Sequence, residues 1–126
     1  MASDKEPPDL RDRTLKYARG IVRLFVALPR STLAQTLGKQ MLRSGTSVGA
    51  NYREAFRSRS RAEFSAKIGD SLKEIEETAC WIDLIEAEKI YPTEKLSRIR
   101  QETDELIAIF VSIRKKHITT AITTAR

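Results

Sequence analysis

The sequence predicts an all-α protein, an antiparallel up-down four-helix bundle, from three observations. Four prolines and five glycines interrupt 126 residues, and the stretches between the prolines carry apolar residues at helical spacing. None of these stretches shows the apolar and polar alternation that is typical of a strand. Short connections join the helices, which favours antiparallel neighbours. The chain is large enough for one core, so we expect a single domain over residues 1–126.

The first helix is expected to follow Pro7 and Pro8, with Asp9 as its N-cap. Residues 1–8 are polar and are expected to be flexible. One apolar stripe would turn this helix towards the core. The stripe consists of Leu15, Ala18, Ile21, Val22, Phe25 and Leu28.

The second helix is expected after the break at Pro29 and Arg30, with Ser31 or Thr32 as its cap. It would extend to about Phe56 and bury an apolar face of its own. The members of that face are Leu37, Met41, Val48 and Tyr52.

The third helix has the most specific start signal. After a basic loop at 57–61, Ser60 and Glu63 form the Ser-x-x-Glu pattern of a capping box, in which each side chain accepts from the other residue's backbone N–H. Cys80 is expected to be a small buried group on this helix. Apolar residues recur at steps of three and four, namely Phe64, Ile68, Leu72, Ile75, Ala79 and Ile82.

The fourth helix follows a connection at 90–93 and carries a heptad seam with one polar member, Thr103. The threonine-rich segment 118–126 predicts a frayed tail, because β-branched residues are poor helix formers. The seam consists of Leu96, Ile99, Thr103, Leu106, Phe110 and Ile113.

All five glycines fall inside predicted helices, where each costs about 1 kcal/mol relative to alanine. On a helical wheel, the three glycines of the second helix share a line with two of its aromatic residues. A face without side chains lets another helix approach closely, either within the bundle, which we favour, or from a second subunit. The residues assigned to this packing or oligomer surface are Gly38, Gly45, Gly49, Ala50 and Tyr52.

Positive charge is concentrated in the first half of the chain. The net charge is +6, but residues 1–61 carry +8 and residues 62–126 carry −2. Beside the glycine line, the second helix has a cationic stripe without a carboxylate, which would neutralise phosphates of RNA or DNA. The other interpretations are a solvated face or pairing with Asp70, Glu74 or Glu77 of the third helix. The candidate nucleic-acid-binding residues are Lys39, Arg43, Arg53, Arg57, Arg59 and Arg61.

Other functional classes find little support in the sequence. There is no G-x-S-x-G elbow, Walker A loop or dinucleotide fingerprint, so we expect no catalytic residue and no cofactor. One cysteine and one histidine, Cys80 and His117, are too few for a zinc site, and no metal is expected. The absence of a disulfide framework, a membrane span and a secretory segment predicts a soluble, cytoplasmic protein without a membrane partner. Aromatic residues do not alternate with the basic ones, so recognition would depend on shape and charge.

The segment 40–84 resembles a known family. Residues 43–51 read Arg-Ser-x-Thr-Ser-x-x-x-Asn, and residues 60–64 read Ser-x-x-Glu-Phe, so that one capped loop joins two helices. On these residues the chain resembles the bacterial four-helix-bundle family named after proteins encoded in 23S rRNA intervening sequences. Many members have Asn-Ile-Ala-Glu-Gly where this chain has Asn51, Tyr52, Arg53, Glu54 and Ala55.

The resemblance implies a bundle that assembles as a homo-oligomeric ring, in known relatives a homopentamer. It also implies kinship with the accessory variability determinant of diversity-generating retroelements, a basic pentamer that binds a reverse transcriptase and its nucleic acid. We therefore expect a non-enzymatic ring that binds RNA or DNA through its basic stripe, with a reverse transcriptase as an implied partner. The alternative is a protein–protein adaptor or scaffold whose basic face recognises an acidic partner protein.

Overall fold

The computed structural model describes the backbone of residues 9–125 and the side chains of residues 9–116. The described residues form helices and no strand, which confirms the all-α four-helix bundle. The helices are α1, Leu10–Ala27; α2, Thr32–Ala55; α3, Arg61–Ala87; and α4, Thr93–Ala125. The predicted flexibility of residues 1–8 lies outside the described residues and stays a prediction. In the segment predicted to fray, 118–126, the described backbone is helical to Ala125, and fraying itself stays a prediction.

The first three helices begin at the N-caps that the sequence predicts. The side chains of Asp9, Ser31 and Ser60 each accept a hydrogen bond from a backbone N–H in the first turn that follows. For Ser60 the donor is Glu63, at 3.1 Å. Each cap satisfies a backbone donor that has no partner within the helix, so these local signals place the helix starts.

Buried hydroxyl groups fix the register of α2 against α3. The hydroxyls of Ser44 and Thr78 are hydrogen-bonded to each other at 2.7 Å, and each also has a backbone carbonyl of its own helix as an acceptor. One turn further along α2, the carbonyl oxygen of Val48 accepts a hydrogen bond from Ser71 of α3 at 2.9 Å. Higher numbers on α3 meet lower numbers on α2, so the two helices are antiparallel, and none of these three buried hydroxyls lacks a partner.

The core face of α1 differs from the predicted stripe. Leu15 and Val22 are 48% and 42% exposed, whereas Thr14 and Tyr17 are 1% and 2% exposed. These two polar side chains are buried because their hydroxyls are bonded, Thr14 to the carbonyl oxygen of Leu10 and Tyr17 to Thr103. The prediction is therefore wrong for two members of the stripe, since it counted apolar residues alone. The buried face consists of Leu10, Thr14, Tyr17, Ile21 and Leu24.

The seams of α3 and α4 follow the predicted spacing at most positions. Thr103, the polar member of the α4 seam, is buried because it accepts a hydrogen bond from Tyr17. Cys80 is exposed, so the expectation of a buried thiol is wrong. It lies on the face opposite Ile75 and Ile82, which are fully buried. The other buried residues of the two predicted seams are Ile68, Leu72, Leu96, Leu106 and Phe110.

Candidate nucleic-acid interface

The glycines of α2 pack against α1 of the same chain. A Cβ atom added to Gly45 would lie 2.9 Å from Cγ1 of Ile21, and one added to Gly49 would lie 2.8 Å from Oγ1 of Thr14. Both distances are shorter than real Cβ contacts, so only a residue without a side chain fits at these positions. A Cβ atom added to Gly38 would likewise lie too close to Phe25 of α1 and to Leu28, which follows that helix. The structure thus places the three glycines in packing within the bundle.

The other two residues of that predicted surface have different surroundings. Tyr52 is half-buried and packs edge-to-face against Phe56 and Phe110, with ring centroids 5.0 and 5.8 Å apart. Burial raises the pKa of the Tyr52 hydroxyl, and the nearby cation of Arg11 opposes that shift. Ala50 is exposed. Of the five residues, Ala50 is the one that the structure shows as exposed.

The cationic stripe of α2 is partly neutralised by α3. Arg43 pairs with Glu74 at 3.1 Å and also donates to Glu77. Pairing with α3 is one of the interpretations that the sequence allows for the stripe, and the structure shows it for Arg43. Arg61 also has an interaction of its own. The charge of Arg43 is therefore compensated within the bundle, and Arg61 is not counted as a free cation.

The remaining four candidates form what we call the α2 basic surface, Lys39, Arg53, Arg57 and Arg59. All four are exposed, and none makes an ion pair with the residues that the structure describes. Lys39 lies about 21 Å along the helix from Arg53, at a rise of 1.5 Å per residue. Arg53 is in the last turn of α2, and Arg57 and Arg59 follow in the loop to α3, so three of the four cations lie within seven residues.

The only carboxylate of α2 does not neutralise this end of the bundle. Glu54 accepts a hydrogen bond from Lys67 of α3 at 3.1 Å. This contact raises the pKa of the Lys67 ammonium group. Because Glu54 is directed to α3, it leaves its neighbours Arg53 and Arg57 without a counter-charge.

Two residues that the sequence analysis did not assign complete this surface. The guanidinium of Arg11 lies 4.8 Å from the ring centroid of Phe56, and Phe56 is 51% exposed. Phe56 also packs edge-to-face on Phe64, at 6.0 Å. Arg11 belongs to α1, and only the antiparallel packing of α1 on α2 brings it to the end of α2. The pairing of Gly45 with Ile21 and of Gly49 with Thr14 sets how α1 lies along α2, and that alignment is the signal that would have placed Arg11 at the end of α2.

The described residues show few other functional features. No group of three or more His, Cys, Asp or Glu side chains within this range could hold a metal ion. None of the helices is long and apolar enough, over the residues described, to cross a membrane.

The fold and this surface define a class of protein, an antiparallel helical bundle with arginines gathered at one end. The sequence model of the 23S rRNA-intervening sequence protein family matches residues 9–112, and the chain belongs to that family. It is similar to a solved protein of unknown function from the S23 ribosomal protein family of Bacteroides thetaiotaomicron, at 37% identity and a TM-score of 0.78. That similarity covers 83% of this chain and 97% of the other. No curated protein matches this chain.

Proposed function

We propose that this protein is a non-enzymatic, cytoplasmic, ring-forming bundle that binds RNA or DNA through the α2 basic surface. The observation that carries the proposal is the cluster of Arg53, Arg57 and Arg59, exposed and without an ion pair among the described residues. Phosphates that such a cluster neutralises release their counterions, which makes binding favourable and dependent on salt. Membership in a family named for 23S rRNA intervening sequences supports this assignment.

An exposed aromatic residue next to the arginines in the chain extends the proposed contact beyond charge. Phe56 is half-exposed and has Arg11 over its ring, so the exposed part of the ring offers an unpaired base a surface for stacking. The sequence by itself predicts recognition by shape and charge. Phe56 adds a preference for unpaired nucleotides to that expectation.

Exposed apolar residues on α1 support assembly into a ring. Leu15, Val22 and Val26 are 48%, 42% and 74% exposed and follow one another at steps of seven and four. They form a second apolar face on α1, which contact with another subunit would cover. Rotational symmetry would repeat the α2 basic surface in every subunit and strengthen the field that attracts a polyanion.

The binding proposal is tested by titrating labelled single-stranded RNA, followed by fluorescence anisotropy. We expect affinity to fall by about tenfold or more between about 50 and about 200 mM salt. Arg57→Gln should weaken binding and make the dependence of log K on log salt shallower by about 0.9 per lost contact and subunit. The matched control is Arg43→Gln, because Arg43 lies on the same helix but is paired with α3.

Absent binding at low salt, or an equal effect of the two variants, would refute nucleic-acid binding by this surface. The adaptor interpretation would then gain support if Arg57→Gln abolished capture of an acidic partner protein. A reverse transcriptase, the partner implied by the resemblance to retroelement accessory proteins, is the protein to include in that capture experiment.

The assembly proposal is tested by light scattering on the eluting protein. The double variant Leu15→Gln, Val22→Gln should lower the mass to that of a monomer while the helical content stays unchanged. Val111→Gln is the control, because Val111 is 44% exposed and lies on α4. A monomeric wild-type protein, or an unchanged mass in the double variant, would refute assembly through this face of α1.

A further inference from the structure

A groove of about 700 Å³ separates α1 from α4. The two helices meet at few points, and at one of them Arg13 of α1 reaches Glu102 and Glu105 of α4. Gly20 lies between these helices, with no side chain to fill the space. Volumes of this size are typical of sites for small organic ligands.

The charges that line the groove are unbalanced towards cations. Arg23, Lys95 and Arg98 are exposed and make no ion pair with any residue in the described part of the chain. Both glutamates of the lining, at 102 and 105, are held by Arg13 at 2.7 Å. The fourth cation of the lining, Lys16, is paired with Asp12 at 3.0 Å. The four cations of the lining outnumber its two glutamates, and an anionic group between Arg23, Lys95 and Arg98 would meet three cations that are not in ion pairs with described residues.

The floor of the groove is apolar. Leu24 is buried there, and Ile99 is half-buried. Tyr17 also contributes to the lining, but its hydroxyl donates to Thr103 at 2.7 Å because the proton of Thr103 is used in a bond to a backbone carbonyl. The floor therefore offers a ligand apolar contacts and no free hydrogen-bond donor.

An aromatic ring lies beside the cations. Tyr91 is half-buried in the groove lining, and the ammonium of Lys95 is 5.9 Å from its ring centroid. A ring next to unpaired cations suits a ligand that combines a flat body with a negative charge. An inorganic anion alone would leave most of the volume and the apolar floor without contacts.

We infer that the α1–α4 groove binds a nucleoside phosphate, with the phosphate between Arg23, Lys95 and Arg98 and the base against Tyr91 and the apolar floor. The same chemistry is present in a free mononucleotide and in an unpaired nucleotide at the end of a strand. The site is separate from the α2 basic surface, because α2 packs on the flank of α1 formed by Thr14 and Ile21. The groove site can therefore be tested independently of the function proposed above.

Calorimetric titration tests the site with three probes, adenosine 5′-monophosphate, adenosine, and a five-nucleotide RNA with a 5′-phosphate. In the double variant Arg23→Gln, Arg98→Gln, affinity for the phosphorylated probes should fall by about a hundredfold, because each of the two lost charge-assisted bonds is worth about a factor of ten. Tyr91→Leu should weaken the same binding by about tenfold through lost stacking. Arg19→Gln is the matched control, an exposed arginine of α1 outside the groove lining.

A steric variant separates occupancy of the groove from general charge. Gly20→Met places a long side chain in the groove, where the nearest atom to an added Cβ is the tip of Ile99 at 3.3 Å. We expect it to abolish binding of adenosine 5′-monophosphate while the melting temperature stays at the wild-type value. Arg57→Gln should leave this binding unchanged even if it weakens binding of long RNA.

Each outcome of the titrations decides the inference. Binding of the mononucleotide that the groove variants abolish supports a free nucleotide as the ligand. Binding of the five-nucleotide RNA alone, lost in the same variants, supports the end of a strand. No binding of either phosphorylated probe, equal affinity for adenosine, or insensitivity to the groove variants would overturn it.

Discussion

The two flanks of α1 show opposite ways of packing a helix. Towards α2 the contact is closed, because glycines at 45 and 49 leave room for Ile21 and Thr14. Towards α4 the contact is open, and long polar side chains such as Arg13 bridge the helices across a groove. One helix therefore makes both a contact that admits no side chain and an open groove.

The difference shows that glycines inside helices have different structural roles. At Gly45 an added Cβ would collide with the branched side chain of Ile21, at 2.9 and 3.0 Å. At Gly20 the nearest atom is the flexible tip of Ile99, at 3.3 Å. The first glycine is required by close approach, whereas the second keeps a groove free.

The largest effect is expected from Gly49→Leu, which would force the closed flank apart. The new side chain would collide with Thr14, which is 1% exposed and whose backbone carbonyl carbon lies 3.7 Å from the added Cβ. Overpacking costs about 1–3 kcal/mol and more where backbone blocks the way, so Tm should fall by about 10 °C or more. Thermal unfolding followed by circular dichroism and the elution mass measure the effect. Unchanged values of both would show that the glycine face does not hold α1.

A smaller but sharper comparison uses two alanine substitutions. Gly45→Ala and Gly20→Ala both gain about 1 kcal/mol of helix propensity. At Gly45 the collision with Ile21 outweighs that gain, and we expect a net loss of about 1–2 kcal/mol in the free energy of unfolding. At Gly20 the tip of Ile99 can move, so stability should stay equal or rise by up to about 1 kcal/mol. Urea unfolding measures both, and a change of the same sign at the two sites would contradict the contrast.

Local signals were enough to predict where the helices begin. Asp9, Ser31 and Ser60 act through backbone groups within one turn, so the sequence around each contains all of its partners. The glycine line of α2 was also visible on a helical wheel. Because glycines have no side chain, this line predicts close contact with some neighbouring helix, and in the structure that helix is α1.

Features that depend on two helices could not be predicted in the same way. Tyr17 joins the core with its polar hydroxyl because Thr103 of α4 accepts the proton of that group. Arg43 resembles its neighbours on the stripe until α3 places two glutamates beside it. Arg11 reaches the α2 basic surface only through the register of α1 on α2. The candidate site was therefore predicted in outline, and its membership was decided by packing.

Tyr17→Phe tests the buried bond that joins α1 to α4 beneath the groove. Loss of the hydroxyl should cost about 1 kcal/mol, because the acceptor Thr103 stays buried without that donor. Burial raises the pKa of Tyr17 in the folded protein. Its contribution is then complete below the ordinary tyrosine pKa of about 10 and is lost as pH rises towards the raised value. Urea unfolding at neutral and alkaline pH should show a steeper alkaline loss in the wild type than in the variant, and parallel curves would contradict this role.

The smallest effect concerns the ionic bridge across the open flank. Arg13 makes two hydrogen bonds to Glu102, at 2.9 and 2.7 Å, and this contact raises the pKa of its guanidinium. Since these groups are partly exposed, Arg13→Gln should cost less than about 1 kcal/mol, and Lys16→Gln, which removes a more exposed pair, should cost still less. Gln101 and Arg13 lower the pKa of Glu105 in the folded protein, so its contribution is present above the ordinary value of about 4.3 and disappears as pH falls through the lowered one. The stability difference between Arg13→Gln and the wild type should therefore shrink in acid, and a difference that persists below pH 3 would mean that Arg13 stabilises α1 by packing and not by charge.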